Sequence, residues 1–507
     1  MKRHHHGIEK GSARVFSRCQ FHGAGARNTD GQLGIHEVST FSVPRLSFEP
    51  DRGRVELPSM KQIIVIAVLL CNGMAAACRQ TTAPPSSIQQ DIIDPALADV
   101  IARIRAVDNH THVNSTAPGG GDSDALPLDV LPPFDMPVRL RADNPEWIAA
   151  YRAMYGYSHP DLAEAHLAEL RQTIVQVIKE QGDRFPESVL DKIGTEVMLA
   201  NRIEMGPGLA PPRFRWVSYL DALMLPLSTK LEAAGTPDRE KLYPLEDKLL
   251  RRYLGDLNLS ERPATLDDYL RSVVTATLER QRQAGSVAVK FEAAYLRSLD
   301  FGEASGAEAA RIYARYVSGG EPSHAQYKTL QDFLFRYIAR EAGRLGMAVH
   351  IHAFEGAGGF YVAAASDPLL LESVFNDPAL RRTNFVIVHG GGAFAPHAGV
   401  MLWKTNVYLD ISAMVLIYTP AKLAEVLREW LLQFPEKVLF GTDAAAFGPD
   451  LGWDITAWQG TTTARQALGI ALTKMMQKNE ITRARAEAVA AMVMRTNAAK
   501  LYNLGLK

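Results

Sequence analysis

Cysteine is almost absent from this chain of 507 residues. The three cysteines are Cys19, Cys71 and Cys78, so residues 79–507 contain none. This absence excludes disulfide bonds, zinc–thiolate sites and a cysteine nucleophile from the main body of the protein. A body without cysteine suits an oxidising compartment, and it suits the cytosol equally well.

The chain also lacks an excess of charge of either sign. Its formal net charge is −1 at pH 7, from 55 basic and 56 acidic residues. Nucleic acid and acidic membrane surfaces attract strongly basic proteins, so neither is expected as a partner. A small-molecule substrate is the partner we expect. Hydrophobic residues make up 47% of the chain, which is enough to form a large buried core.

A short hydrophobic run follows Met60 and ends in small residues before Cys78, in the letters MKQIIVIAVLLCNGMAAAC. A basic start, an apolar stretch and small residues occur in this order in secretory signals. The ending AAAC resembles a bacterial lipoprotein signal, so we expect an exported cell-envelope protein that touches the membrane only through a lipid on Cys78. The alternative is an uncleaved anchor, although the run is shorter than the ~20 residues that a spanning helix needs.

These features divide the chain into four predicted segments. Translation is expected to start at Met60, so what precedes it is a non-native or disordered extension, and His4–His6 are an accident of that extension. The signal is followed by a polar, proline-bearing linker and then by one large domain. The extension, signal, linker and domain are predicted at residues 1–59, 60–78, 79–99 and 100–507.

From about residue 100, short apolar runs alternate with helical stretches, which predicts a parallel sheet with crossover helices. Eight such strand–helix units predict a (β/α)₈ barrel, and no repeat of roughly 20–50 residues indicates a solenoid instead. Long connections after the first and third strands are expected to form helical insertions over the carboxyl end of the barrel. The predicted strands lie near residues 106–112, 196–202, 213–221, 286–292, 347–353, 384–390, 406–412 and 437–443.

Ionisable side chains recur at the carboxyl ends of these predicted strands, which is the end where barrels carry their chemistry. Period-two alternation places His350 and His352 on one face, and it places His389 on the face of Phe385 and Ile387. The strand-end residues are His110, His112, Lys290, His352, His389 and Asp443.

Each of these residues has a structural interpretation when taken alone. A strand-end histidine commonly packs with a hydrogen bond, and an aspartate after Gly-Thr often caps a helix. Their joint occurrence at one end of one barrel favours a metal site, because burying them without partners would be costly. Imidazole and carboxylate groups ligate Zn²⁺ and related divalent ions. We therefore predict one or two divalent metal ions here, with Zn²⁺ first.

Lys290 needs a separate explanation, because an ammonium group cannot ligate a cation. Carboxylation by CO₂ would convert it into an anionic carbamate able to bridge two metals, and this is our prediction. A plain ion pair with Glu292, on the same strand face, is the alternative. His350 lies one layer deeper and is predicted to support the ligands from behind. Asp410 and Ser412 are candidate contacts of the substrate or of the ligands.

With these residues assembled, the chain resembles the amidohydrolase superfamily, and more narrowly its amidohydrolase-2 branch. The family carries H-x-H on strand one, lysine on strand four in many members, histidines on strands five and six, and aspartate on strand eight. The matching stretches are HTH, VKF, HIHAF, VHGG and GTDAA, and they lie within roughly residues 100–507. The run from HIHAFEGAGG to the ending TNAAKLYNLGLK is similar to the amidohydrolase half of glutamine-synthetase-like fusion proteins. The chain departs from these relatives at Phe354 and Glu355, where they have a smaller polar pair.

The resemblance implies a metal-dependent hydrolase of amides, esters or lactones, with Asp443 as both ligand and general base. It implies one metal held by His110, His112 and Asp443. A second metal would be held by His352 and His389, with the carboxylated strand-four lysine as bridge. Two other functions stay open, namely a decarboxylase or isomerase on the same barrel and a catalytically silent, surface-anchored binding protein.

Overall fold

The computed structural model describes residues 92–116, 124–356 and 358–506. The predicted extension, the signal and most of the linker lie outside these ranges, and so do all three cysteines. None of the helices in the described ranges has the length and hydropathy that crossing a bilayer requires.

Eight parallel strands form one sheet in which each strand pairs with the next along the chain. Backbone hydrogen bonds join the ends of the sheet, from Asn109 N to Phe440 O at 2.9 Å and from Asp443 N to His110 O at 2.8 Å. The predicted (β/α)₈ barrel is therefore confirmed. The strands are β1 Ala106–Thr111, β2 Thr195–Asn201, β3 Phe214–Tyr219, β4 Ser286–Phe291, β5 Ala348–His352, β6 Phe385–Val388, β7 Val407–Asp410 and β8 Val438–Leu439.

Helices connect the strands and surround the sheet. Some of the longer ones begin at capping residues, as in His324–Arg344, where Ser323 and Gln326 form a reciprocal capping box. The α-helices of seven or more residues are Pro95–Arg103, Trp147–Tyr155, Glu164–Gln181, Phe185–Ile193, Pro237–Asp256, Ala276–Gln283, Gly306–Tyr316, His324–Arg344, Ala395–Met401, Pro420–Leu431, Trp453–Gln477 and Arg483–Ala491. The shorter ones are Lys230–Ala233, Leu266–Tyr269, Ala293–Leu296, Glu372–Phe375, Met414–Ile417 and Asn497–Leu501.

The strand residues alternate between the barrel interior and the layer under the helices. The outward side chains, such as Phe214, Ile351 and Leu409, belong to the core between sheet and helices. Fully burying each of them contributes roughly 1.5–3 kcal/mol. Inward side chains of the strands form a second core with the carboxyl-terminal residues Ala498, Tyr502 and Leu504: Val107, Val197, Leu199, Val217, Ala288, Ala348, Val386, Val388 and Leu439.

The two long connections lie after β1 and β3, where the sequence predicts insertions. The second contains the helix Pro237–Asp256. Thr236 caps the amino end of this helix, because its hydroxyl accepts a hydrogen bond from Arg239 N at 3.2 Å. Residues of both connections, including Leu128 and Leu249, line one cavity at the carboxyl end of the barrel. The insertions therefore form walls of the cavity above the strand ends.

Candidate metal centre

Two histidines from β1 and an aspartate beyond β8 converge at the carboxyl end of the barrel. His110 Nε2 lies 3.2 Å from Asp443 Oδ1, and His112 Nε2 lies 3.4 Å from the same oxygen. One ligating atom of each residue lies within 4.8 Å of the others, and no other group of His, Cys, Asp or Glu within the described ranges does so. Ligands held ~2.0–2.2 Å from a shared metal ion are separated by about these distances. The cluster has the donor set and spacing of a metal site.

The remaining predicted residues border this cluster. Lys290 Nζ lies 3.3 Å from His110 Nε2. The ring centroid of His389 lies 5.0 Å from that of His110, and the ring of His352 lies 4.7 Å from that of His389. The structure thus brings all six predicted site residues together, and all of them except the fully buried His110 line one cavity.

His352 supplies a direct test of whether a metal fits. Its Nε2 is buried and has no hydrogen-bond partner among the described residues. Burial lowers the pKa of His352 well below the usual value, and Lys290 lowers it further, so the ring is neutral. A buried nitrogen without a partner costs free energy, and coordination to a cation would satisfy it. The ring is therefore suited to be a ligand.

His112 is held from behind by a carboxylate. Its Nδ1 lies 2.8 Å from Asp124 Oδ2, and the Tyr219 hydroxyl donates to the other carboxylate oxygen at 2.8 Å. Burial alone would lower the pKa of His112, but Asp124 raises it to about 10. A carboxylate on the outer ring nitrogen is the usual way of orienting a metal-binding imidazole. Nε2 of His112 is left to face Asp443.

His389 is held in a similar way by a hydroxyl. Its Nδ1 lies 2.9 Å from Ser412 Oγ, and Ser412 Oγ donates to Asp410 Oδ1 at 2.6 Å. Burial raises the pKa of Asp410 to about 6, although its hydrogen bonds favour the ionised form. Asp410 and Ser412 therefore hold the ring of His389 in place.

The predicted strand face of His389 is wrong. Phe385 and Ile387 pack outward under the helices, whereas Val386 and Val388 point into the barrel. His389 nevertheless reaches the interior, because β6 ends at Val388 and the next residue has a left-handed backbone with φ of 67°. Side chains alternate between the two faces of a strand only while the backbone stays extended. A departure of this kind at a cluster of ligating groups is typical of functional sites.

The turn after His389 is held by the two residues that depart from the family pattern. Glu355 Oε1 accepts a hydrogen bond from Ala393 N at 2.8 Å, and the Phe354 ring lies 5.7 Å from the ring of His389. Gly392 has φ of 54°, and a Cβ there would collide with both side chains. Phe354 and Glu355 thus shape the turn that orients His389.

Lys290 also lies beside Glu292. Its Nζ is 3.9 Å from Glu292 Oε1, and both side chains are buried. Burial raises the pKa of Glu292, while the charge of Lys290 acts in the opposite direction. Glu292 Oε2 has no hydrogen-bond partner within the described part of the chain. The ion pair that the sequence suggests as an alternative is therefore present in the geometry.

His112 and Asp443 of the cluster lie at the floor of a cavity of about 740 Å³. This volume is in the range of small-molecule sites, which hold roughly 300–1,000 Å³. Its walls are partly apolar, with Leu128, Leu249 and Phe447 among the lining residues. Tyr295 lies over His352, with their ring centroids 4.2 Å apart. A polar floor under apolar walls suits a small molecule whose reactive group points at the floor.

Three supporting residues are absent from the sequence-based prediction. Asn201 Nδ2 lies 2.9 Å from His110 Nδ1, and Tyr219 and Asp124 hold His112. Asn201 and Tyr219 end β2 and β3, so applying the strand-end rule to uncharged polar residues would have found both. Asp124 lies in a connection after a glycine-rich stretch and has no comparable signal.

Comparison with solved structures supports the fold. A protein described as a metal-dependent hydrolase from Lactobacillus casei is 13% identical, with a TM-score of 0.51 over 80% of this chain and 97% of its own. Uronate isomerase from Thermotoga maritima is 12% identical, with a TM-score of 0.55 over 81% of this chain and 98% of its own. Glucuronate isomerase from Caulobacter crescentus is 14% identical, with a TM-score of 0.54 over 81% and 94%. At these identities the likeness establishes the barrel alone.

Sequence comparison finds a family match in the second half of the chain. No curated protein matches the chain. The sequence model of the family described as Amidohydrolase matches residues 258–504, which run from before β4 to the carboxyl-terminal segment. This match includes four of the six strand-end residues, Lys290, His352, His389 and Asp443. The predicted resemblance is confirmed: residues 258–504 match the amidohydrolase family.

Proposed function

We propose that the protein is a metal-dependent hydrolase that cleaves an amide, ester or lactone bond in a small molecule. The observation that carries this proposal is the convergence of His110, His112 and Asp443, of which His112 and Asp443 line the cavity. A divalent metal supplies a water-derived nucleophile at neutral pH and polarises a carbonyl oxygen. Zn²⁺ is the ion we propose first, because the donors are imidazole nitrogens and a carboxylate.

Asp443 is the residue that would move the proton. Burial alone would raise the pKa of Asp443, but the imidazoles of His389 and His112 lower it to about 2, so it is ionised at neutral pH. Its side chain is 18% exposed, which leaves it open to a substrate in the cavity. In the proposed reaction Asp443 accepts the proton of the attacking water and returns it to the leaving group.

We further propose that a second metal is held by His352 and His389, with Lys290 carboxylated between the two metals. The unpartnered Nε2 of His352 supports the first part. The position of Lys290 Nζ, 3.3 Å from His110 Nε2, supports the second. If Lys290 is unmodified, it cannot act as a ligand, and we then expect the protein to bind one metal ion.

The test compares metal-loaded and metal-stripped protein on a panel of amides, esters and lactones in isotope-labelled water. Hydrolysis inserts one labelled oxygen into the new carboxylic acid, and we expect this in the metal-loaded protein alone. Loaded protein that converts no member of the panel would contradict the proposal. Release of CO₂ with no labelled carboxylic acid formed would indicate decarboxylation instead.

A second candidate function is sugar-acid isomerisation, because two of the similar structures are a uronate isomerase and a glucuronate isomerase. This reaction moves hydrogen between neighbouring carbons and inserts no oxygen from water. Metal-loaded protein incubated with an aldehyde uronate would then form a ketone without labelled oxygen in its carboxylate. We rank it second, since the likeness to these enzymes extends to the fold alone.

Metal uptake is expected to tighten as the pH rises. The pKa of His112 is about 10 in the metal-free protein, so at pH 7 the ring holds a proton that a metal must displace. The pKa values of His110, His352 and His389 are lowered by burial, so these rings are already neutral. Below pH 10 the affinity should therefore rise ~tenfold per pH unit for the one proton released at His112.

Isothermal titration calorimetry of metal binding, repeated in buffers with different ionisation enthalpies, measures the number of protons released per metal ion bound. The control is Asp124→Asn, which removes the carboxylate that raises the pKa of His112. In that variant proton release at neutral pH should fall below one per metal, and affinity at high pH should fall roughly 10–100-fold. Equal proton release from both proteins would show that Asp124 does not control His112.

We also propose that the protein is exported and lipidated on Cys78. Expressed from Met60 in a bacterium that processes lipoproteins, it should incorporate labelled palmitate. Cys78→Ser should abolish labelling, whereas Cys71→Ser, inside the hydrophobic run, should leave it unchanged. Labelling that persists in the Cys78→Ser variant would refute the anchor.

A further inference from the structure

A line of buried hydrogen bonds runs from His389 toward the amino end of the barrel. His389 Nδ1 contacts Ser412 Oγ, and Ser412 Oγ donates to Asp410 Oδ1. Asn109 Nδ2 donates to Asp410 Oδ2 at 2.6 Å. The hydroxyl of Tyr502 donates to Asn109 Oδ1. His389 directly follows β6, Asp410 and Ser412 lie at and just after the end of β7, Asn109 lies in β1 and Tyr502 near the carboxyl terminus, and all of them are buried.

The direction of each hydrogen bond is set by Asp410, which when ionised can only accept. Asp410 accepts hydrogen bonds from the Ser412 hydroxyl at 2.6 Å, from the His389 backbone N–H at 2.8 Å and from the Asn109 side-chain amide. Because the serine proton points to Asp410, Ser412 Oγ must accept from His389 Nδ1–H. Nε2 of His389 then keeps its lone pair, which is the form that a metal ligand needs.

Tyr502 fixes the orientation of Asn109. An amide can turn over, and in the wrong orientation its oxygen would face the carboxylate of Asp410. The Tyr502 hydroxyl donates to Asn109 Oδ1 and so keeps Nδ2 toward Asp410. His350 Nε2 lies 2.7 Å from the same hydroxyl and donates to it, since the hydroxyl proton is already used. The line therefore has one consistent direction from His350 to Asp410.

We infer that Tyr502 is a positioning residue for the metal centre and acts through Asn109 and Asp410 on His389. The inference rests on the proposed metal site. It gives the carboxyl-terminal segment a role besides filling the amino end of the barrel with Ala498 and Leu504. It also gives His350 a role, because this histidine lies behind the ligands and completes the hydrogen bonds of Tyr502.

The test is the Zn²⁺ affinity of Tyr502→Phe, measured by competition with a chromophoric chelator. Replacing the partner of a ligand typically costs 10–100-fold in affinity, so a residue further along the line should cost roughly threefold to tenfold. The control is Tyr408→Phe. Tyr408 lies on β7 and packs against the same second core as Tyr502. The Tyr408 hydroxyl has no hydrogen-bond partner in the described ranges, so this variant should bind Zn²⁺ like the parent.

A double-mutant cycle separates positioning from a general loss of packing. Ser412→Ala interrupts the line next to His389, so Tyr502→Phe should then cost less than about twofold more in affinity. Additive losses, or equal affinity of the parent and Tyr502→Phe, would overturn the inference while leaving the proposed function intact. A parent protein that binds no Zn²⁺ would overturn the proposed function itself.

Discussion

Replacing Asp443 with asparagine is expected to reduce turnover by roughly 10²–10⁴-fold while leaving the metal largely bound. The amide keeps an oxygen where Asp443 Oδ1 faces His110 and His112, but it cannot accept the proton of the attacking water. The fold should tolerate the change, because Asp443 has φ of 60° and asparagine adopts the left-handed region readily. The loss should therefore appear in kcat, with metal content close to that of the parent.

Metal analysis of the purified variant and its kcat at saturating metal check this result. Asp124→Asn is the matched control, since it changes the same group in the same cavity but leaves the proposed base intact. At saturating metal this control should retain turnover. Near-parental turnover by metal-loaded Asp443→Asn would show that another group carries the proton.

The barrel itself follows from the sequence, because the alternation of apolar runs and helices is a local pattern. Each of the eight strands lies within a few residues of its predicted position. The largest difference is β8, which is predicted to extend through residues 437–443 and ends at Leu439. The chain leaves regular pairing there and turns Asp443 toward His110, and hydrophobic pattern carries no information about such a turn.

The site is also largely predictable, because the carboxyl ends of parallel strands meet at one end of a barrel. A rule that looks only for ionisable strand-end residues therefore brings together side chains as distant as His110 and Asp443. It fails for the face of His389, where a left-handed residue breaks the alternation. It also misses Asn201 and Tyr219, which are polar but uncharged.

Other parts of the site depend on contacts that no local pattern encodes. Asp124 reaches His112 from a long connection whose path is set by packing. Tyr502 is separated from Asn109 by 393 positions in the sequence. A hydrogen bond between such residues exists only because the carboxyl-terminal segment packs into the amino end of the barrel. Pairs of this kind become visible only in three dimensions.

Replacing Lys290 with methionine is expected to destabilise the protein by up to about 3–5 kcal/mol above pH 8, because Glu292, whose pKa is raised by burial to about 8, is then ionised and loses the partner of its buried charge. The charge left behind is that of Glu292, 3.9 Å from Lys290 Nζ and equally buried. Methionine keeps most of the side-chain volume, so a cavity contributes little to the loss. Chemical denaturation of parent and variant measures the difference in the free energy of unfolding.

The double variant Lys290→Met with Glu292→Gln separates the two proposed states of the lysine. If Lys290 serves as an ammonium group, the second change removes the uncompensated charge and should restore most of the stability, with one metal bound throughout. If Lys290 is carboxylated, the parent should bind two metals and its Lys290 peptide should carry the mass of one added CO₂ under mild conditions. Methionine would then remove the bridge, and Glu292→Gln would not restore the second metal.

Because a carbamate beside an ionised Glu292 would place two anions together, carboxylation also requires Glu292 to be protonated or balanced by metal. The raised pKa of Glu292 favours the first of these.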